Sequence, residues 1–204
     1  MNILELFAGS RSIGKVAEEL GFNVYSSDIN SFDKIDYVTN ILEFDCNKVP
    51  FKPDVIWASP PCTSFSVASI GHHWTGGKCA YIPKTDSAKL GLELVSKTLE
   101  IINYFQPKYW FMENPRGVLR KLPIVQGLKV NTVTYCQYGD ERMKPTDIWT
   151  NSNVWSPRPM CKNGDSCHVS APRGSQTGTQ GRSNAYERSK IPYQLCYEIL
   201  NSTK

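Results

Sequence analysis

No run of 18 consecutive apolar residues occurs in this 204-residue chain, so no membrane-spanning helix is expected. The first residues, MNILELF, carry no basic stretch or cleavage-site pattern, so no export leader is expected either. There is no internal repeat. Net charge is only +4, too little to mark the chain as a polyelectrolyte. The seven cysteines are an odd number and come without an export signal. Reduced thiols in a cytoplasmic protein are therefore expected rather than a disulfide framework. What remains is ordinary globular material: 40% hydrophobic and 21% charged, too apolar for a disordered chain and long enough to bury a core unaided.

The small net charge is unevenly placed. Residues 151–190 hold six basic side chains (Arg158, Lys162, Arg173, Arg182, Arg188 and Lys190) against Asp165 and Glu187. That excess of four is the whole of the net charge, and the rest of the chain balances. The same forty residues contain seven Ser, four Gly and three Pro with little apolar periodicity. A basic segment on a neutral body points to a polyanionic partner, against the plainer alternative of a solvated loop.

The first 150 residues alternate strand and helix patterns. Strands are expected at Asn2–Phe7, Phe22–Ser27, Asp54–Ala58, Tyr109–Met112 and Val130–Tyr135. Helices are expected at Ser12–Leu20 and Ser87–Phe105, the second with Asp86 or Ser87 as cap and with Leu94, Val95, Ile101, Ile102 and Phe105 at helical spacing. A final helix over Ile191–Leu200, opened by Pro192, would turn Leu195, Ile199 and Leu200 inward. Alternation of this kind builds an α/β fold, a mostly parallel sheet with helices on both faces. Ligands then gather at the carboxyl ends of the strands. Gly9, Asp28, Cys62 and Glu113 each fall just past an expected strand.

Three clusters at those strand ends carry chemistry. Phe7-Ala8-Gly9-Ser10-Arg11-Ser12-Ile13-Gly14 is a strand-to-helix turn where backbone can approach a ligand, and Asp28, 19 residues after Gly9, is placed to accept from ribose hydroxyls. The spacing is looser than a dinucleotide fingerprint, so a plain turn is an equal alternative. Ser59-Pro60-Pro61-Cys62-Thr63-Ser64-Phe65-Ser66 presents a cysteine at the rim after two prolines that fix the backbone. Glu113-Asn114-Pro115 puts a carboxyl beside an apolar strand, where burial can suit it to meet a ring nitrogen. Taken singly, Cys62 has the alternative of a buried small residue, which the prolines before it and the hydroxyl-rich loop after it argue against, and Glu113 reads as a capping or salt-bridging residue.

Together these clusters resemble the DNA cytosine-5 methyltransferases. LELFAGSRSIG is similar to the family's cofactor motif, SPPCTSFS to its Pro-Cys motif, and ENP stands where the family has Glu-Asn-Val. Tyr138-Gly139 with Arg142 and Lys144 resembles a reduced form of its arginine-bearing motif. The order and spacing match across residues 3–151, and YGDERMKPTDIWTN and CHVSAPRG are similar to short phage-encoded members lacking a full target-recognition domain. The resemblance implies a class I S-adenosylmethionine-dependent methyltransferase (Rossmann-like) sheet with S-adenosylmethionine as methyl donor. Phe7 would pack on adenine, Gly9 would approach the methionine end, and Asp28 would hold the ribose. Ala8, Ser10, Ile29 and Pro60 would line the same site. Asn40-Ile41 falls where the family has Asp-Ile against adenine. Catalysis would rest on Cys62, Glu113 and Arg142: Cys62 adding to carbon-6 of a flipped cytosine, Glu113 bonding ring N3 and the exocyclic amine, and Arg142 contacting O2, with Lys144 the weaker choice for that contact. The loop Ser64–Lys84, with His72-His73-Trp74, would close over the base or simply stand in solvent.

Three departures qualify the resemblance. Pro115 replaces valine, only one arginine of the arginine motif remains, and the usual target-recognition region and its closing Gly-Asn-Ser are missing. Residues 1–150 are thus expected to form the catalytic core, 151–190 a minimal nucleic-acid contact, and 191–204 a helix packed on the core. Cys161, Cys167 and His168 raise a metal site whose fourth ligand would come from Cys79, Cys136 or a loop histidine, but Cys-x5-Cys-His is not a standard zinc spacing. Free thiols, and no metal, are the expectation. DNA is the expected substrate and a monomer the expected state. An RNA cytosine-5 enzyme of the same fold, an amino-methyltransferase, which Cys62 and Glu113 argue against, and a non-catalytic nucleic-acid-binding relative are the alternatives.

Overall fold

The structure is a computed structural model that describes residues 1–77, 80–170 and 184–204. In chain order it runs β1 (Asn2–Leu6), α1 (Ser12–Glu19), β2 (Asn23–Asp28), β3 (Tyr37–Val38), β4 (Val55–Ala58), α2 (Ile70–His73), β5 (Trp74–Thr75), β6 (Ile82–Pro83) and α3 (Asp86–Phe105). It continues with β7 (Tyr109–Pro115), β8 (Val130–Thr134), β9 (Pro145–Thr150), α4 (Ala185–Ser189) and α5 (Tyr193–Ser202). Seven strands form one sheet in the order β3-β2-β1-β4-β7-β9-β8, and β5 and β6 form a small hairpin. The pairs from β3 to β7 are parallel, while β9 runs antiparallel to both β7 and β8.

Strand alternation sorts the core onto two faces. Ile3, Val55 and Trp57 point to the face covered by α1 and α5, where Ile13, Val16, Leu195, Ile199 and Leu200 are buried. Leu4, Leu6, Ile56 and Ala58 point to the other, where Ile101, Ile102 and Phe105 of α3 close over them. Both faces are covered, so β1 and β4 read as nearly unbroken apolar runs. The α/β architecture with helices on both faces is the one expected.

The differences from the expected elements have local causes. β9 was not anticipated, because PTDIWT mixes proline and acid with its apolar residues. Its pairing with Glu113, Asn114 and Pro115 carries β7 three residues beyond Met112, so Glu113 lies within a strand and not after it. Helix α3 is capped not by Asp86 or Ser87 but by Thr85, whose Oγ1 accepts from the Ala88 amide at 3.2 Å. Residues 64–77 are folded, not an open loop: Trp74 is buried, donates to the Ser64 carbonyl at 2.6 Å, and stacks on Phe65. His73 is also buried and hydrogen-bonds Thr85 at 2.7 Å. Residues 151–170 likewise pack on the core, with Trp155 and Cys161 buried and Trp155 edge-on to Phe111. Among the described residues no helix is long and apolar enough to cross a membrane.

One polar residue breaks the apolar run of β1. Glu5 is buried beneath the start of α1, accepting from the Ile13 amide at 3.1 Å and from Ser26 Oγ at 2.9 Å. A Cβ on Gly14 would stand 2.6 Å from its carboxylate, so the helix comes this close only because residue 14 is glycine. Burial pushes the Glu5 carboxyl from 4.5 up to about 7, against the lowering effect of its hydrogen bonds and Arg11. The folded state therefore holds a proton that the unfolded chain has released, and stability falls as pH rises from about 4.5 to about 7. The loss from this group is about 3 kcal/mol. Denaturant unfolding at several pH values should show this slope, and Glu5→Gln, which keeps an oxygen to accept from the Ile13 amide and cannot ionise, should flatten it. An unchanged slope in the variant would remove Glu5 as its source.

Candidate active site

Beyond the carboxyl ends of β1, β4 and β7 lies one cavity of about 1540 Å³. A pocket for one small ligand is typically about 300–1,000 Å³. This one has room for two ligands side by side. The order reverses at β1, with β2 on one side and β4 on the other, the place where open α/β sheets leave a crevice.

The first wall is the turn after β1. Phe7, Ala8, Gly9 and Ser10 line the cavity, with Pro60 from the β4 side. The turn is wound tightly: Phe7 and Gly9 have φ of 56° and 49°, and Arg11, which caps α1, has 55°. Asp28, the last residue of β2, accepts from the Gly9 amide at 2.9 Å through Oδ2 and from the Asn30 amide at 2.9 Å through Oδ1. Oδ1 also accepts from Asn30 Nδ2 at 3.3 Å, so its observed part is to hold the turn, and Oδ2 keeps a second lone pair. Asp28, Ile29, Asn40 and Ile41 do not line the cavity. Ile29 is exposed, Ile41 is buried in the α3-side core, and Asn40 accepts from the Leu42 amide at 3.1 Å.

The second wall brings Cys62 and Glu113 together. Asn114 Nδ2 donates to the Pro60 carbonyl at 2.8 Å and so ties β7 to the loop that carries the cysteine. Gly117 lets that loop lie down on the chain after β7: a Cβ there would stand 2.0 Å from the Phe65 carbonyl oxygen. Glu113 is buried and its Oε1 accepts from Tyr135 Oη at 3.0 Å. The Cys62 thiol is pushed up, first by burial and then by the charge of Glu113, while Lys144 and Arg188 act in the opposite direction. Burial lowers the Lys144 ammonium, and Glu113 and Cys62 raise it in return. Lys144 also sits over the Tyr135 ring at 4.5 Å and donates to the Arg188 carbonyl at 3.1 Å.

The arginine-motif residues exchange places relative to expectation. Arg142 does not line the cavity; it is buried and doubly bonded to the Asp140 carboxylate, and its pKa is raised chiefly by those hydrogen bonds. Lys144 does line it. Asp140 lies two residues before Arg142 and accepts from its amide at 2.8 Å, a local turn that captures the guanidinium.

Several functional candidates were missed. Arg116, Arg120 and Lys121 line the cavity, giving it a basic wall inside the part of the chain whose charges balance overall. The signal was there in Glu113-Asn114-Pro115-Arg116, where a base directly follows the motif. From the basic segment only Arg188 lines the cavity among the described residues, and Arg173 and Arg182 lie outside those residues. Asn163, His168 and Ser170 contribute to the wall as well. Val67 and Ile70 form its apolar rim; Lys78 and Cys79 are outside the described residues.

Residues 1–124 match the family model described as C-5 cytosine-specific DNA methylase. The chain is 32% identical to the "Probable DNA (cytosine-5)-methyltransferase" of Frog virus 3 (isolate Goorha), a match covering 98% of this chain and 99% of that protein. Among solved structures, a prophage-encoded E. coli protein assigned to the DNA modification methyltransferases superposes with a TM-score of 0.51 at 15% identity. That match covers 79% of this chain and 52% of the other, so the chain spans about half its length and shares its fold.

Proposed function

The chain belongs to the C-5 cytosine-specific DNA methylase family, and from that premise we propose that it transfers a methyl group from S-adenosylmethionine to carbon-5 of a cytosine in DNA. The observation that carries this reading is one cavity lined by Cys62, Glu113 and the Phe7–Ser10 turn. The residues fit the donor. Phe7, Ala8 and Pro60 offer an apolar wall, Gly9 a backbone without a side chain, and Ser10 a hydroxyl. Asp28, with one lone pair remaining on Oδ2 beside the Gly9 amide, is the ribose candidate; Ile29, Asn40 and Ile41 could join only at its margin. When bound, S-adenosylmethionine supplies the methyl group as an electrophile on a sulfonium.

Carbon-5 of cytosine is a poor nucleophile while the ring is aromatic. Cys62, as thiolate, would bond carbon-6 and make carbon-5 electron-rich. Lys144 favours that thiolate by its charge. Glu113, held by Tyr135, would meet ring N3 and the exocyclic amine. After methylation, loss of the carbon-5 proton lets Cys62 leave. A stacked base cannot reach this recess, so the target has to be extruded or unpaired. Arg116, Arg120 and Lys121 offer charge to the flanking phosphates. Arg142, paired with Asp140, would act by holding the turn that delivers Lys144.

We assign residues 1–150 and 191–204 to the catalytic body and 151–190 to the acceptor contact. Support comes from Asn163, His168, Ser170 and Arg188, which share the cavity with Cys62. The acceptor is tested by incubating the protein with labelled S-adenosylmethionine and either DNA or RNA, then digesting to nucleosides. Label in 5-methylcytosine from DNA is expected. Label from RNA alone would replace the acceptor, and label from neither would favour a non-catalytic binding relative.

A further inference from the structure

A second cluster of reactive side chains lies behind the cavity wall. Cys136 belongs to the helical turn Tyr135–Tyr138 that ends β8; Cys161, Cys167 and His168 come from the segment that packs over it. Their four ligand atoms all lie within 4.8 Å of one another. Cys136 Sγ is 3.1 Å from Cys161 Sγ and 3.6 Å from Cys167 Sγ, and His168 Nδ1 is 3.5 Å from Cys167 Sγ and 3.8 Å from Cys161 Sγ. All three sulfurs are free thiols.

A tetrahedral zinc ion with Zn–S of about 2.3 Å and Zn–N of about 2.0–2.1 Å sets its ligand atoms roughly 3.5–3.8 Å apart. Of the six separations among four atoms, three fall in that range, one is shorter, and the other two are within 4.8 Å. We propose that Cys136, Cys161, Cys167 and His168 form a structural zinc site. Three thiolates and an imidazole are the soft set that selects this ion, and four protein ligands leave no open position for chemistry. Cys-x5-Cys-His supplies three ligands, and the fourth arrives from 25 residues before Cys161.

The surroundings are built to hold the cluster. The turn between Cys161 and Cys167 is closed by the Asp165 carboxylate, which accepts from the Lys162 amide at 2.7 Å, and Gly164 takes the left-handed conformation with φ of 96°. The Cys161 amide donates to Thr134 Oγ1 at 3.2 Å, and Gln137 Nε2 donates to Cys167 Sγ at 3.4 Å. His168 Nε2 is buried without a partner, and the residue lines the active cavity. Nδ1, the nitrogen nearest the sulfurs, would bind the metal. The ion would staple residues 151–170 to the turn whose Tyr135 donates to Glu113, fixing one wall of the site.

The test is elemental analysis of untagged full-length protein purified under reducing conditions without chelator. One zinc per chain is expected; less than about a tenth of that, from zinc-supplemented cells, overturns the proposal. Cys167→Ser and His168→Ala should lose the ion, and Cys46→Ser should retain it. Should the first two fail to fold, the wild-type protein still decides. Native alkylation should spare Cys136, Cys161 and Cys167 until chelator is added, and cobalt should give the strong visible absorption of a tetrahedral thiolate site. Rapid alkylation of all three thiols without chelator, or a Cys136–Cys161 disulfide, sinks the site.

Discussion

Cys62→Ala is expected to abolish methyl transfer and covalent capture by DNA containing 5-fluorocytosine. The loss should be on the order of 10⁴-fold or more, as when an enzyme's attacking nucleophile is removed. No other cysteine among the described residues lines the cavity. Cys46 packs against the α3-side core, Cys196 is buried in α5, and the remaining three cluster behind the wall. Among the described residues no second thiol stands ready to replace it. Cys62 is only half-buried, so alanine removes little packing and the thermal transition should hardly move. Methylation that survives the substitution would overturn the covalent mechanism.

Glu113→Gln should slow transfer by about 10²–10³-fold, the usual cost of removing one aligned electrostatic contact to a developing charge. Glutamine keeps an oxygen to accept from Tyr135, so the β7–β9 pairing and the tie from Asn114 to Pro60 should survive. The same substitution has an opposite effect on the thiol. Burial is the main cause of the raised Cys62 pKa and the Glu113 charge is the next, so glutamine should bring it down. Alkylation of Cys62 would then shift to lower pH while methyl transfer falls. A variant that loses both together has lost its fold or loop. One that loses neither leaves Glu113 outside the chemistry.

Much of this was legible in the residues. Alternating strand and helix patterns and the apolar runs of β1 and β4 gave the doubly covered parallel sheet. The local motifs gave Cys62, Glu113 and the Phe7–Ser10 turn, because a nucleophile after two prolines or a glycine at a strand end is a statement about neighbouring residues. Strand β9 escaped notice: its proline and aspartate obscure the alternation, and of its two partners β7 lies more than thirty residues away.

The sequence by itself determined the fold class and the family, and it singled out Cys62 and Glu113 as the two groups on which the proposed chemistry rests. Those follow from periodicity and from motifs a few residues long, which the backbone reads locally. Only the folded structure decided which base lines the cavity, since Asp140 holds Arg142 aside and leaves Lys144 at the wall. It also decided that Arg116, Arg120 and Lys121 make a basic wall from a stretch of balanced charge. Among the partners open to Cys161, Cys167 and His168, it was the turn after β8 that brought Cys136 to them. The basic wall and this cluster are set by packing between distant segments, and no local pattern encodes where a long side chain will point.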